Sequence, residues 1–431
     1  MERITKVVFF FPWTEVSGGP FFLTRLAEDL EKTGKYEVYY TDYENCLFEK
    51  LVKNPNIHKL VYKDEKTGFK VFPEEPVILV TPIYWACYVP IMHPRSRIMF
   101  FNWHNCCIPV LRGDWQVNDT EMNQFLKIVY DSQSVFFCDL THWSYQNTPN
   151  LRFEKKFVPI ILPPRTGEAV KELINPGEIN IAVLGRICPD KVYSVIDLMR
   201  NLEKTSNQMK KNVFIIGDGP NMKELKKHKW KNGVYPIYCG TVTGKDLAKI
   251  LEKKVDILFA MGTSVLEGAA LKLPSVIIPH NVEDFKCNRY VYLSDSKGFA
   301  LGWFDTQMEK LKLQSFPLQK IIDDVYVGGK KAKIGENCYQ YYLENHTSNI
   351  SYFQKALQET TLTYEWFFGF AKERFHLVRK RRKFGISVIW VWTNYNHSEI
   401  RVLLFKYFKF LTIKNDDHFP EVYLFGKFRL F

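Results

Sequence analysis

Residues Val255 to Pro279 read VDILFAMGTSVLEGAALKLPSVIIP, and no other stretch of the chain restricts its fold so strongly. An apolar run, Val255 to Ala260, is followed by Gly262-Thr263-Ser264, then by a helical pattern from Val265 to Leu273, a stop at Pro274 and a second apolar run. Strand, tight loop, helix and strand in that order form the repeating unit of a parallel sheet with helices on its faces. A helix opening at Gly262, Thr263 and Ser264 turns unpaired backbone N–H groups and the positive end of its dipole toward whatever fills the loop. That setting favours a phosphate. On the first turn stands Glu267, whose carboxylate can accept two hydroxyls at once, as a ribose offers. The same residues, Ser264-Val265-Leu266-Glu267, also fit a capping box, in which Glu267 bonds back to the helix start and has only a structural task.

The rest of the chain repeats this rhythm. Ile4 to Phe11 reads as a buried strand that runs into Pro12-Trp13-Thr14-Glu15-Val16-Ser17-Gly18-Gly19-Pro20. Ser17 suits an N-cap and Pro20 a first turn, ahead of a helix carrying Phe22, Leu23, Leu26, Ala27 and Leu30 on one face. Gly18 and Gly19 let backbone approach a ligand closely, although a Gly-Gly pair before a helix is also an ordinary turn. Further strands are expected at Tyr36 to Tyr40, Val77 to Thr81, Arg97 to Phe101, Val135 to Cys138 and Phe157 to Ile161, with a helix near Glu121 to Tyr130. His104 follows the strand Arg97 to Phe101 at its carboxyl end, where such sheets bind ligands; a lone loop histidine is equally read as a surface residue.

Residues 162–178 contain PPRTGEAVKELINPG, punctuated by Pro and Gly, and read as an interdomain linker. A second alternation begins at Ile179. Its first strand leads into Gly185-Arg186-Ile187-Cys188-Pro189-Asp190-Lys191 and a helix with Val195, Leu198, Met199 and Leu202 on one face. Arg186 and Lys191, five apart across a turn, can clamp a diphosphate, Arg by its fork and Lys as a point charge; a solvated basic turn is the plainer alternative. The strand Val213 to Ile216 ends in Gly217-Asp218-Gly219-Pro220, and Ile237 to Cys239 ends at Gly240 before a helix from Lys245 to Glu252. Two amphipathic segments, Glu336 to Glu344 and Asn349 to Gln358, are expected to close this second domain.

Taken in order, these segments resemble the retaining GT-B glycosyltransferases of family four, over about Ile4 to Gln358 and most closely from Asn180 to Pro279. Glu267 matches the second of two glutamates that flank seven residues in that family's donor-binding signature. The first falls on Phe259, a departure that bears on sugar identity and on activity. The resemblance implies an α/β GT-B fold of two Rossmann-like doubly wound domains facing a cleft. Residues 1–161 would form the acceptor-side domain, 162–178 the linker and 179–360 the donor-binding domain. It implies that Gly18 and Gly19 face the donor phosphates and that Gly185, Arg186 and Lys191 bind the pyrophosphate. Gly217, Gly262, Thr263, Ser264 and Glu267 would complete the donor site, with His104 near the acceptor side. His104, Arg186 and Lys191 are the expected catalytic residues.

The implied activity is transfer of a sugar from a nucleotide-diphosphate sugar to a glycan or lipid-linked glycan, with retention, in cell-surface polysaccharide or lipopolysaccharide synthesis. A nucleotide-sugar epimerase of the same fold and a catalytically silent binding or scaffold subunit stay open as alternatives. No Asp-x-Asp occurs in the chain, the pair with which the other large glycosyltransferase fold holds a divalent ion. No metal and no cofactor beyond the substrate nucleotide sugar are expected.

At 431 residues the chain has room for two or three domains, each able to bury a core. Its nine Cys are scattered, with no Cys-x-x-Cys and no paired Cys/His spacing, which reads as a reduced, cytoplasmic protein. The start has an apolar run of only Val7 to Trp13, closed by Glu15, and reads as a strand and not a signal peptide. No window reaches the ~18 apolar residues of a spanning helix. Residues 361–431 differ in kind. From Thr363 onward, thirteen Lys and Arg face six Asp and Glu, so this part carries +7 of the chain's net +12. Arg379-Lys380-Arg381-Arg382-Lys383 forms a basic run behind Trp366, Phe367, Phe368, Phe370 and Phe375. Phe384-Gly385, Phe405-Lys406 and Phe425-Gly426 recur about every twenty residues, which suggests β-hairpins. This extension is expected to hold the protein peripherally on the cytoplasmic, anionic face of a membrane. A packed extra subdomain is the plain alternative, and the absence of any RNA-binding signature argues against nucleic acid.

Overall fold

The computed structural model describes the chain except residues 1–4, 13–17, 45–46, 63–68, 105–106, 116, 147–151, 166, 207, 372–388, 394–398, 405–407, 416–419, 425–427 and 430–431. The first domain opens with β1 (Thr5–Phe10) and α1 (Gly18–Glu31). It continues through β2 (Tyr36–Asp42), β3 (His58–Val61), β4 (Ile78–Pro82), β5 (Arg97–Asn102), α2 (Asp119–Asp131), β6 (Val135–Phe137) and α3 (Leu140–Gln146). The six strands form one parallel sheet in the order β3-β2-β1-β4-β5-β6. Val7 to Phe10 are fully buried, as a central strand covered on both faces requires. The expected strand at Phe157 to Ile161 is absent. Only Phe157 bridges Phe137, and the prolines that follow end the pairing.

The second domain begins with β7 (Glu178–Leu184) and α4 (Pro189–Glu203). Next come β8 (Lys210–Ile216), β9 (Val234–Gly240), β10 (Ile257–Ala260), α5 (Thr263–Ala269), β11 (Ser275–Ile277) and β12 (Val291–Tyr292). Its sheet runs β9-β8-β7-β10-β11-β12, parallel except for the last strand. The fold is thus α/β, with two Rossmann-like parallel-sheet domains. Helix α5 starts two residues earlier than its apolar pattern suggests. It stops after seven, because Lys272 turns to φ 60° and Leu273 N–H bonds back to Gly268 O at 3.0 Å.

A buried carboxylate ties the second domain together. Asp256, just before β10, receives Lys331 Nζ at 2.8 Å, Tyr326 OH at 3.0 Å, Asn180 Nδ2 at 3.3 Å and the Ile174 amide at 3.0 Å. Lys331 also donates to Glu172 O at 2.6 Å. Linker, β7, β10 and the helix α6 (Lys331–His346) therefore meet at one fully desolvated ion pair.

After α6 the chain crosses back. Helix α7 (Ile350–Glu359) was expected to close the second domain, and instead it lies in the core of the first. Phe353 is fully buried, with its ring 5.8 Å from Phe9 and 6.2 Å from Phe101. The return continues beyond the expected boundary at 360. Ile98 N–H bonds Leu362 O at 2.9 Å, Tyr364 N–H bonds Ser96 O at 2.7 Å, and Phe367, in the helical residues 364–371, packs on Phe100 and Phe125. Part of the aromatic excess assigned to the extension is therefore core. Outgoing and returning passages touch: Asn349 Nδ2 donates to Pro159 O at 2.6 Å, His346 Nδ1 lies 2.7 Å from Ile160 O, and Tyr342 OH donates to Leu162 O at 3.0 Å.

The extension itself holds the strands β13 (Ile389–Thr393), β14 (Glu399–Leu404), β15 (Phe408–Asn415), β16 (Pro420–Leu424) and β17 (Phe428–Arg429). They pair in sequence order as an antiparallel meander, as the hairpin reading anticipates. The basic run Arg379 to Lys383, Phe375 and the three recurring dipeptides lie outside the described residues. Among the described residues, no helix is long and apolar enough to cross a membrane.

Replacing Lys331 by Met should strand the Asp256 carboxylate in the core, and breaking a buried pair from one side costs ~3–5 kcal/mol. Thermal or denaturant unfolding of the second domain should show that loss; a change below ~1 kcal/mol would contradict the role given to the pair.

Candidate functional site

The carboxyl ends of the two sheets face each other, and most of the residues singled out in the sequence collect there. In the first domain, α1 begins at Gly18. A Cβ on Gly19 would lie 3.0 Å from the Trp103 ring and 3.2 Å from Phe11, so the helix start and the loop after β5 touch because glycine occupies that position. Trp103 is held by Phe11 and Phe22 edge to face, at 5.5 and 6.0 Å, and His104 follows it in the chain. The loop residues 13–17, Ser17 among them, lie outside the described set.

In the second domain three strand ends interlock. Gly185 N–H bonds Ile216 O at 3.0 Å, Gly217 N–H bonds Gly240 O at 2.7 Å, and Ile187 N–H bonds Asp218 O at 3.0 Å. Gly217 adopts φ 137°, and a Cβ there would sit 2.0 Å from Gly185 O, so only glycine lets the two loops close on each other. A Cβ on Gly185 would lie 4.0 Å from Lys191 Nζ, which places that ammonium beside the loop. Arg186 is exposed at the loop's tip, and Lys191 is half-buried in the first turn of α4. Arg186, Lys191, Gly185 and Gly217 thus form one cationic, glycine-edged rim.

His104 meets this rim from across the cleft. Its protein surroundings, His142 and Lys191 push its pKa down, against the pull of Asp190, so the imidazole is neutral at pH 7. Burial works against ionisation of Asp190, but the Cys188 thiol, Lys191 and His104 outweigh it and hold the carboxyl below its usual range. The seam beside the cleft is bonded. Leu140 N–H donates to Gly298 O at 2.8 Å, Thr141 Oγ1 to Gly302 O at 2.6 Å, and Gln307 Nε2 to Thr141 O at 3.0 Å.

The Gly262-Thr263-Ser264 loop contributes less than expected. Gly262 is the N-cap with no side-chain bond, and its amide donates to Leu301 O at 2.7 Å. Thr263 and Ser264 open α5 half-buried. The capping box does not form. Glu267 is instead gripped bidentately by Arg165 of the linker, at 2.7 and 3.1 Å. Arg25 of α1 stands close enough to both for their charges to bear on it, and it donates to Ile161 O at 2.6 Å. Seven residues separate Gly18 from Arg25, so the glycine start of α1 stands about 10 Å along the helix from the residue that approaches Glu267. Phe259, the position matching the first family glutamate, is fully buried with its ring 5.8 Å from Tyr290. It supplies core, not a cleft group.

Sequence reading passed over Arg165, Arg25, Asp190, His142 and His280. Asp190 and His280 carried a usable signal, since each stands shortly after a strand's carboxyl end, as His104 does. Among the described residues no group of three or more His, Cys, Asp or Glu is arranged to hold a metal ion.

No protein-family model matches the chain, and no curated protein matches its sequence. Solved structures do match its shape. HepE of Anabaena, crystallised with UDP and glucose, superposes with a TM-score of 0.51 at 12% identity, covering 82% of this chain and 98% of its own. The lipopolysaccharide outer core galactosyltransferase WaaB in its apo form gives 0.52 at 10% identity, covering 82% and 99%. At these identities the likeness is one of fold, and that fold is the GT-B arrangement of two facing Rossmann-like domains.

Alanine at Gly217 should cost ~1–3 kcal/mol through backbone strain alone, before the contact with Gly185 O is counted. A thermal midpoint unchanged from the parent would show that the two loops do not depend on this close approach.

Proposed function

We propose that the protein is a glycosyltransferase that moves a sugar from a nucleotide-diphosphate sugar to a glycan or lipid-linked glycan acceptor. The observation that carries this reading is that His104, next in the chain to the Trp103 that packs on Gly19, lies close enough to Lys191 of the rim for its charge to act on the imidazole. The rim would bind the diphosphate. Charge growing on the leaving diphosphate would be met by cations and amides already in place, where electrostatic catalysis has most effect. The sugar carbon would pass through an oxocarbenium-like state. Retention, the assembly of cell-surface polysaccharide or lipopolysaccharide, and a position on the cytoplasmic face of the membrane belong to the same proposal, on the strength of the motif resemblance. The proposed units are 1–161, 162–178, 179–360 and 361–431, with α7 and residues 361–371 serving the first unit's core.

Glu267 is the proposed ribose acceptor, near Arg25 in the middle of α1. Arg165 occupies both its oxygens, so a nucleotide would have to turn the guanidinium aside. Incubation with a panel of nucleotide sugars, following nucleoside diphosphate release with and without a lipid-linked acceptor, tests the whole reading. Acceptor-dependent release supports transfer, sugar interconversion without acceptor indicates an epimerase, and binding without turnover indicates a silent subunit. In calorimetry Arg186→Ala should weaken nucleoside diphosphate binding about tenfold or more, as loss of a charged hydrogen bond of ~1.5–3 kcal/mol requires. Glu267→Gln should weaken it too, and Arg165→Ala should strengthen it; unchanged affinity in all three would place the nucleotide elsewhere.

The extension is proposed to dock on an anionic membrane surface. Its strands carry Trp390, Trp392, Arg401, Lys409, Tyr423 and Arg429 in sequence. Aromatic and basic residues together suit an interfacial contact, each charge adding ~1 kcal/mol near the lipid and fading with salt. The full chain should sediment with anionic vesicles at low salt and release at high salt. A chain ending at Ala371, which keeps the core segment, should stay in solution, and equal sedimentation of both would remove the extension from this role.

A further inference from the structure

Asp190, in the first turn of α4, lies near enough to two imidazoles, His104 and His280, for its charge to act on both. His104 follows β5 of the first domain, and His280 lies in the two-residue strand Pro279–His280 that follows β11 of the second. His280 is held firmly. Its strand pairs with Trp303–Phe304, its ring centroid lies 4.1 Å from that of Phe304, and a Cβ on Gly302 would come 3.7 Å from its Nδ1. Among the described residues its Nδ1, sealed from solvent, has no hydrogen-bond partner. With Nδ1 shut in beside Gly302, a ligand reaches this ring through its other nitrogen, Nε2. Burial and the nearby His104, Lys191 and His142 push the His280 pKa down to about 3 despite Asp190, so this ring is neutral as His104 is.

Neutral imidazoles each offer one N–H and one lone pair, and a carboxylate offers only acceptors. Together they match hydroxyl groups, which donate and accept, and they hold a negative charge where a second one would be repelled. The two cations of the rim are already assigned to the diphosphate. We propose that Asp190, with His104 and His280 close by, makes the site select donors with an uncharged sugar and reject those carrying a sugar carboxylate, with His280 as a hydroxyl-contacting specificity residue. The inference rests on the donor-site reading above, because it assigns the groups beside the diphosphate rim to the sugar.

Calorimetric titration of the full chain with UDP, GDP, ADP and dTDP comes first. If none binds, the donor-site reading fails and this one falls with it. With the nucleotide that binds, its glucose and glucuronic acid conjugates are compared. The glucose conjugate should bind about tenfold or more tightly than the glucuronic acid conjugate, and Asp190→Asn should shrink that ratio to about threefold or less. His280→Asn should weaken the glucose conjugate about tenfold and leave the free nucleoside diphosphate unchanged, which also reports that the variant is folded. Nucleotide binding with equal affinity for the two sugars, or a ratio that Asp190→Asn leaves untouched, overturns the proposal while sparing the donor site. Should His280→Ala and His280→Asn both bind the glucose conjugate like the parent, His280 is not a sugar contact.

Discussion

One desolvated carboxylate sets the geometry of the half of the molecule that carries the cationic rim. Asp256 cannot remain buried as an anion without partners, and it draws them from four places: the Lys331 ammonium, the Tyr326 hydroxyl, the Asn180 amide and the backbone of the linker at Ile174. Each partner stands on a different segment. Satisfying one charge therefore registers β7 against β10 and pins the linker and α6 to both. Glu267 lies on α5, directly after β10, and Arg165 lies on the linker, so their bidentate contact inherits its geometry from the same buried point.

The cleft follows another rule. Its charges are few, and Lys191 stands beside Gly185, while the neutral His104 follows Trp103, which packs against Gly19. Backbone comes close where side chains are missing, and what remains at the strand ends is a set of amides, two cations and neutral imidazoles. Such a surface favours a ligand that is anionic at one end and hydroxylated at the other. The GT-B architecture supplies the facing sheet ends, and this chain's own residues supply the chemistry.

Much of this was legible before any coordinates. Strands with two buried faces read as unbroken apolar runs, so both sheets stand where the sequence puts them apart from the strand expected at Phe157 to Ile161, and the loop from Gly185 to Lys191 follows a strand as its glycine suggests. What failed to show was the identity of each element's neighbour. The amphipathic pattern of Asn349 to Gln358 establishes that the helix has a buried face; it carries no information on which domain supplies the other half of the core, and Phe9 and Phe101 turned out to supply it. Phe367 was misread for the same reason, as part of a basic aromatic tail. Glu267 shows the limit at a single residue. Its capping partner is local and visible in sequence, whereas its actual partner, Arg165, is 102 positions away.

The return of the chain through α7 has a mechanical consequence. Two strands of backbone join the domains, and they are bonded to one another where they cross, Asn349 to Pro159 and Tyr342 to Leu162. A body tied by a single cord can swing and spin in any direction. One tied by two cords lashed side by side keeps a single easy rotation, about the lashing, while spin and sliding strain both. Rotation about that lashing is the freedom the two cords leave, and the bonds of the seam beside the cleft, Leu140 to Gly298 and Thr141 to Gly302, fix its angle.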